Sequence, residues 1–268
     1  MDIKKYPFRV FTTVLLAFAA IQAHWRSLLV ALLLPGICIL IIETATLDIA
    51  ARGYAWTFLS WAITTPFYAL FAVVVHRTVI LGSQSLPNPL GIFWSMREMR
   101  FVGWTFAIFL LSLLLGFVIG ALSTLFAQLI RPSLVSMLLS SLLVLGIWLA
   151  VLYVYTRLSM VFPATAVDDA TSFERAWQLT DGNGFRMIAV WILTVGPVLI
   201  VWLAVSYLMP ASMLKTVVDV LLSFVNMFVG VCAASVIYRQ LVRKEEAQFG
   251  GPRGGPPTEA PPKSPFDD

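Results

Sequence analysis

An all-α polytopic membrane protein is predicted, with six transmembrane helices, an N-terminal interfacial helix and a short cytoplasmic amphipathic helix between spans four and five. Three observations carry this. Of 268 residues, 59% are hydrophobic and 12% charged, against roughly 45–50% and about 25% in soluble domains. The apolar residues fall in long runs, and a bilayer core of about 30 Å takes roughly 20 helical residues to cross. The runs also lack sustained two-residue alternation, which excludes an outer-membrane barrel.

The membrane domain is expected over residues 1–246, with spans at about 27–47, 54–76, 101–130, 133–156, 187–212 and 216–238. Ahead of them, Val10 to Ala23 is apolar for only 14 residues, too short to cross comfortably. Phe11, Val14, Leu15, Phe18 and Ile21 recur at helical spacing, with Thr12, Thr13 and Gln22 elsewhere, as in a helix lying in the interface. The rival is a signal peptide, from Lys4, Lys5 and small residues at Ala17, Ala19 and Ala20; the charged boundary and full span that follow argue against cleavage. Residues 247–268 are dominated by Gly and Pro and are expected to form a disordered cytoplasmic tail.

Basic residues set the orientation. With a cytoplasmic N-terminus, the outer loops hold only Arg52, Arg131 and Lys215, so 15 of the 18 Lys and Arg face inward and both termini are expected in the cytoplasm. This asymmetry and contact with anionic lipid account for the net charge of +4, so no nucleic-acid partner is implied. Cys38 and Cys232 are expected at depths differing by roughly 7 Å, unbridged. His24 and His76 are too few for a metal site and are expected to anchor at the interface; no cofactor is implied.

Even-numbered spans end alike, at Arg77 in "VVVHRTVIL", Arg157 in "YVYTRLSMV" and Arg239 in "SVIYRQLVR". Three tandem hairpins would give this pattern, and so would the positive-inside rule acting alone. In the third span Ser112, Gly116, Gly120 and Thr124 form a four-residue stripe that admits close approach of another helix. A helix of the same chain is the expected neighbour, with a second copy as the alternative.

Between the fourth and fifth spans lies a polar island holding Asp168, Asp169, Glu174 and Asp181 beside Arg157, Arg175 and Arg186. Thr171-Ser172-Phe173-Glu174 has the capping-box form, so a helix should begin near Ser172 and stop at Gly182. Phe173, Ala176, Trp177 and Thr180 share one face, which suits a helix on the inner membrane surface, and Asp168 and Asp169 are expected to complement its N-terminal dipole. No nucleophile has an adjacent base and no metal-ligand spacing appears, so no catalytic residue is assigned.

"HRTVILG", "REMRFVGW", "RLSMVFPATAVDD" with "SFERAWQLTDGN", and "YRQLVRKE" resemble bacterial inner-membrane proteins of the YciC type and the membrane region attached to some glycerophosphodiester phosphodiesterases. The resemblance covers roughly residues 8–246. It implies an inner-membrane protein accessory to lipid or envelope functions. In the phosphodiesterases catalysis belongs to a separate soluble domain, so no catalytic residue carries over.

Two functions lead, with an interfacial hydrolase built on the island's paired carboxylates and residues of the other inner loops as a third. The first is a non-catalytic scaffold or accessory whose partners are membrane lipids and either another protein or a second copy. The second is a transporter or lipid-binding protein with a midplane cavity. Ionisable residues are missing from the midplane: Glu43 and Asp219 lie near outer helix ends, and Asp219 can pair with Lys215. Pro35, Pro66 and Pro197, however, all lie about 14–17 Å from the inner boundary, with Gly36, Thr64, Thr65 and Gly196 beside them and Asn226 at similar depth. Proline is also simply well tolerated in membrane helices.

Overall fold

The computed structural model describes residues 8–50, 53–82, 94–129, 134–210 and 212–249, and among them it contains helices and no strand. Eight helices follow one another: α1 (Val10–Ala50), α2 (Tyr54–Leu81), α3 (Met96–Leu129), α4 (Leu134–Leu158), α5 (Val161–Ala166), α6 (Phe173–Leu179), α7 (Gly184–Leu208) and α8 (Met213–Phe249). Among the described residues five stretches are long and apolar enough to cross a membrane: Thr57–Leu81, Met96–Leu125, Ser141–Ala166, Gly184–Leu208 and Met213–Arg243. A sixth arises if the two halves of α1 count as one. The protein is therefore a multi-pass, membrane-embedded helical bundle.

The predicted interfacial helix and first span are joined in one helix, α1, bent by 83° between Val10–Arg26 and Leu29–Ala45. On the first arm Thr13 is buried, not outward as its polarity suggested, while Phe11, Leu15 and Phe18 are exposed. The reason is local pairing: the Thr13 hydroxyl lies 2.9 Å from the Arg9 carbonyl and 3.0 Å from Gln240 Oε1 of α8. Helix α8 also runs past the predicted boundary at 246 to Phe249; the rest of the expected tail lies outside the described residues.

The core sits among α1, α2, α7 and α8, which pack most extensively on one another. Ile39, Phe71, Val75, Phe224 and Cys232 interlock α1, α2 and α8. Met160, Val161, Met187, Val190 and Ile237 join the α4–α5 turn to α7 and α8. Helix α5, expected as loop, is a buried turn inside the bundle, where Phe162 meets the Phe101 ring at 4.8 Å.

Pro35, Pro66 and Pro197 lie inside continuous helices, as the tolerance of proline in membrane helices allows. Near Pro66 the hydroxyls of Thr64 and Thr65 donate to the carbonyls of Ser60 and Trp61. The stripe Ser112, Gly116, Gly120 and Thr124 is exposed, and a Cβ added at Gly116 or Gly120 would meet nothing within 4 Å. No helix among the described residues covers it, contrary to expectation. Around it α3 presents Leu113, Leu114 and Phe117, the last 76% exposed.

The opposite case is Gly184 at the start of α7, where a Cβ would run into the Tyr153 ring. Gly184→Ala is expected to cost about 2 kcal/mol through overpacking. Gly116→Ala should stay within about 0.5 kcal/mol of the parent or gain helix propensity. Detergent-solubilised unfolding midpoints test the pair, and a loss at Gly116 would show that something packs there.

Candidate functional site

Two groupings of polar residues stand out, a clamp in the α4–α7 connection and a cavity within the helices. The clamp centres on Arg157, only 3% exposed. Its Nε donates to Thr180 Oγ1 at 2.9 Å and its Nη1 to Tyr153 Oη at 3.2 Å, while Nη2 donates to the Trp177 carbonyl. The guanidinium carbon lies 3.7 Å from the Trp177 ring centroid, and Asp181 completes an ion pair at 3.8 Å. A buried guanidinium is tolerated only when its donors are satisfied, and here α6 supplies most of the partners.

Helix α6 starts one residue later than the capping-box pattern implied. Ser172, not Thr171, is the cap, accepting from the Arg175 amide, and Glu174 accepts from Gln178 instead of reaching back. Gly182 takes the left-handed turn expected of it, φ 73°. Phe173 packs on Trp104 at 4.7 Å, and Trp177 covers Arg157 and meets Tyr153 edge-on at 6.2 Å. The aromatic stripe thus rests on the protein's own helices. A reciprocal capping box does form elsewhere, at the start of α3: Ser95 N and Oγ both donate to Glu98, and the Arg97 amide donates to Ser95 Oγ at 3.2 Å.

Asp168 and Asp169 bind other elements, not the α6 terminus. Asp168, at φ 61°, accepts from Arg97 Nε at 3.0 Å and Nη2 at 2.7 Å and from Arg77 Nη1 at 3.4 Å. The Arg97 hydrogen bonds, more than any other influence, hold its carboxyl below the usual range, so it is ionised at neutral pH. Asp169 accepts from Tyr238 Oη of α8 and from the Ala170 amide at 2.7 Å. Arg77 also donates to the Ala166 carbonyl at 3.0 Å. The carboxylates therefore tie α2, α3 and α8 to one loop.

The cavity, of about 340 Å³, lies among α2, α3, the α4–α5 turn, α7 and α8, within the roughly 300–1,000 Å³ of small-molecule pockets. Trp61 and Tyr68 line its α2 side, Tyr155 and Phe162 the α4–α5 side, and Trp191 and Gly230 the remainder. Trp61 to His76 on α2 spans fifteen residues, roughly 22 Å of helix. No Lys, Arg, Asp or Glu among the described residues lines it. Trp191 Nε1 and Asn226 Oδ1, on two wall residues, are buried without a hydrogen-bond partner among the described residues.

Of the residues expected at a midplane cavity, Thr65 and Asn226 line this one. Thr64 is buried and bonded to its own helix. Pro35 is buried in α1 and Gly36 faces Phe224. Pro66 and Gly196 are half-buried, Pro197 is exposed, and none of the three lines the cavity. His76, expected at the interface, is buried, with Nδ1 2.7 Å from Ser235 Oγ, and lines the cavity. Polar aromatic side chains inside the spans were the missed signal, since buried hydroxyls and indoles in a bilayer need partners. Lys215 and Asp219 pair as their spacing implied, and Trp202 Nε1 adds a 3.0 Å bond to Asp219.

Among the described residues, no three His, Cys, Asp or Glu side chains gather in a way that could hold a metal ion. Comparison of the chain with protein-family models, curated proteins and solved structures finds no match.

Arg157→Lys keeps the charge but loses the forked donors; an expected loss of about 2 kcal/mol or more follows from unmaking charge-assisted hydrogen bonds. Asp168→Asn, at a half-exposed ion pair and a backbone conformation Asn accepts, should cost about 1 kcal/mol or less. Unfolding midpoints and membrane abundance of the two variants check the order; equal effects would show that the Arg157 clamp carries no special weight.

Proposed function

We propose that this chain is a non-catalytic, six-span protein of the bacterial inner membrane that binds a neutral amphiphile in its intramembrane cavity, as an accessory to lipid or envelope processes. The carrying observation is the 340 Å³ cavity, whose wall residues include a buried acceptor on Asn226 and a buried donor on Trp191 without partners among the described residues. An unpartnered buried polar group costs roughly 1–3 kcal/mol, and a ligand hydroxyl or amide can serve both. A charged ligand fits poorly, because no lining side chain is an acid, lysine or arginine and an unpaired charge at that depth is expensive.

The resemblance of "HRTVILG", "RLSMVFPATAVDD" and "YRQLVRKE" to YciC-type proteins and to phosphodiesterase membrane regions supports the cellular setting. The inward bias of Lys and Arg supports cytoplasmic termini, and reporter fusions at the C-terminus read that orientation directly; an outside signal overturns it. The right-angled first arm of α1 suits a helix in the inner interface.

The test is quenching of tryptophan fluorescence, with Trp61 and Trp191 at the cavity, by a brominated monoacylglycerol added to the purified chain in nonionic detergent. Saturable quenching is expected. Asn226→Leu should weaken it about tenfold, one lost hydrogen bond's worth, without lowering the unfolding midpoint. Quenching that never saturates and ignores Asn226→Leu would sink the proposal.

A further inference from the structure

A second pocket lies apart from the cavity. Where the first arm of α1 crosses the end of α8, a space of about 130 Å³ is lined on its polar side by His24, Arg239, Gln240 and Arg243. That is roughly the room of four waters. Its other side is apolar, with Ala20, Val79 and Val236 buried at its base and Leu16 beside them. No Asp or Glu among the described residues lines it. Basic and apolar walls meeting at the end of a helix bundle match the two halves of a lipid headgroup region, an anionic phosphate above and the start of hydrocarbon below.

We propose that this pocket binds the phosphate of an anionic phospholipid, with Arg239 and Arg243 as the principal ligands. The two arginines stand four residues apart on α8 and so share a face. Each guanidinium has five N–H donors, enough to hold a phosphate besides its contacts within the chain. Gln240 adds an amide side chain to the same wall, within 3.0 Å of the Thr13 hydroxyl. The acyl side of the lipid lies along Leu16 and Ala20. The bound lipid would fasten the arm to α8, alongside the side-chain hydrogen bond from Thr13 to Gln240.

Phosphate chemistry could be supplied by a lipid or by free phosphate, and the experiment separates them. Full-length protein in nonionic detergent is titrated by native mass spectrometry with phosphatidylglycerol, phosphatidylcholine and inorganic phosphate. Phosphatidylglycerol is expected to bind at least about tenfold more tightly than phosphatidylcholine, which has the same phosphodiester but would set its choline cation against the like charge of Arg239 and Arg243, and millimolar phosphate should not displace it. Arg243→Gln, at an exposed position, should remove most of the preference with the unfolding midpoint of the parent, Arg243→Lys should keep part of it, and Arg186→Gln, outside the pocket, should leave it intact. Ala20→Leu, which fills the apolar base, should weaken both lipids. Equal binding of the two lipids, a preference unmoved by Arg243→Gln, or displacement by free phosphate would each overturn the assignment.

Discussion

The buried guanidinium of Arg157 is the constraint around which the connection from α4 to α7 is organised. A charge withdrawn from water at the end of a membrane helix must find several partners at once, and α4 itself offers only Tyr153. The rest come from Thr180, the Trp177 carbonyl and the Trp177 ring, so α6 has to lie across the end of α4. Once it does, the chain turns at Gly182 and α7 begins with Gly184 beneath Tyr153. Asn183, between them, accepts from the Phe8 amide at 3.4 Å, which passes the same constraint on to the start of α1.

The acidic residues extend this organisation sideways. Asp168 takes a backbone conformation that short polar side chains tolerate, and from there its carboxylate reaches arginines of α2 and α3. Asp169 turns the other way, to Tyr238 of α8. Such half-exposed pairs add little stability individually. Their collective effect is geometric, since one loop then sets the spacing of α2, α3 and α8. Asp168 and Asp169, close enough in sequence to suggest acid–base chemistry, are each occupied by cations or by a hydroxyl and an amide.

The clamp and the cavity are connected through the α4–α5 turn. Ser159 and Phe162 line the cavity and lie within five residues of Arg157, and α5 is held against the core by Val161 and Ala164. Loosening the clamp is therefore expected to shift the side of the cavity that Ser159 and Phe162 line. At Gly230 an added Cβ would come within 3.1 Å of the Trp191 ring, so the absence of a side chain there lets α7 and α8 approach closely beside the same space. Helices α3 and α4 leave much of their surface to the surroundings, as membrane helices can, because lipid covers leucine as well as protein does.

What the sequence by itself determined is whatever depends on short range. Apolar run length marked the membrane helices because crossing hydrocarbon demands it. The Lys215–Asp219 pair and the turn at Gly182 followed from spacing and from glycine's freedom at positive φ. Much of the island helix was legible too, though its cap moved by one residue. Only the tertiary structure decided that Arg157 is buried, since the positive-inside rule already explains an arginine at that boundary. It alone joined Thr13 to Gln240, 227 residues apart, turned the Ser112–Thr124 stripe outward, and put Asn226 and Trp191 on one cavity. The physical reason is the solvent: in a bilayer, apolar periodicity does not distinguish a face toward lipid from a face toward protein, so which polar residues meet inside is settled by packing across the whole chain.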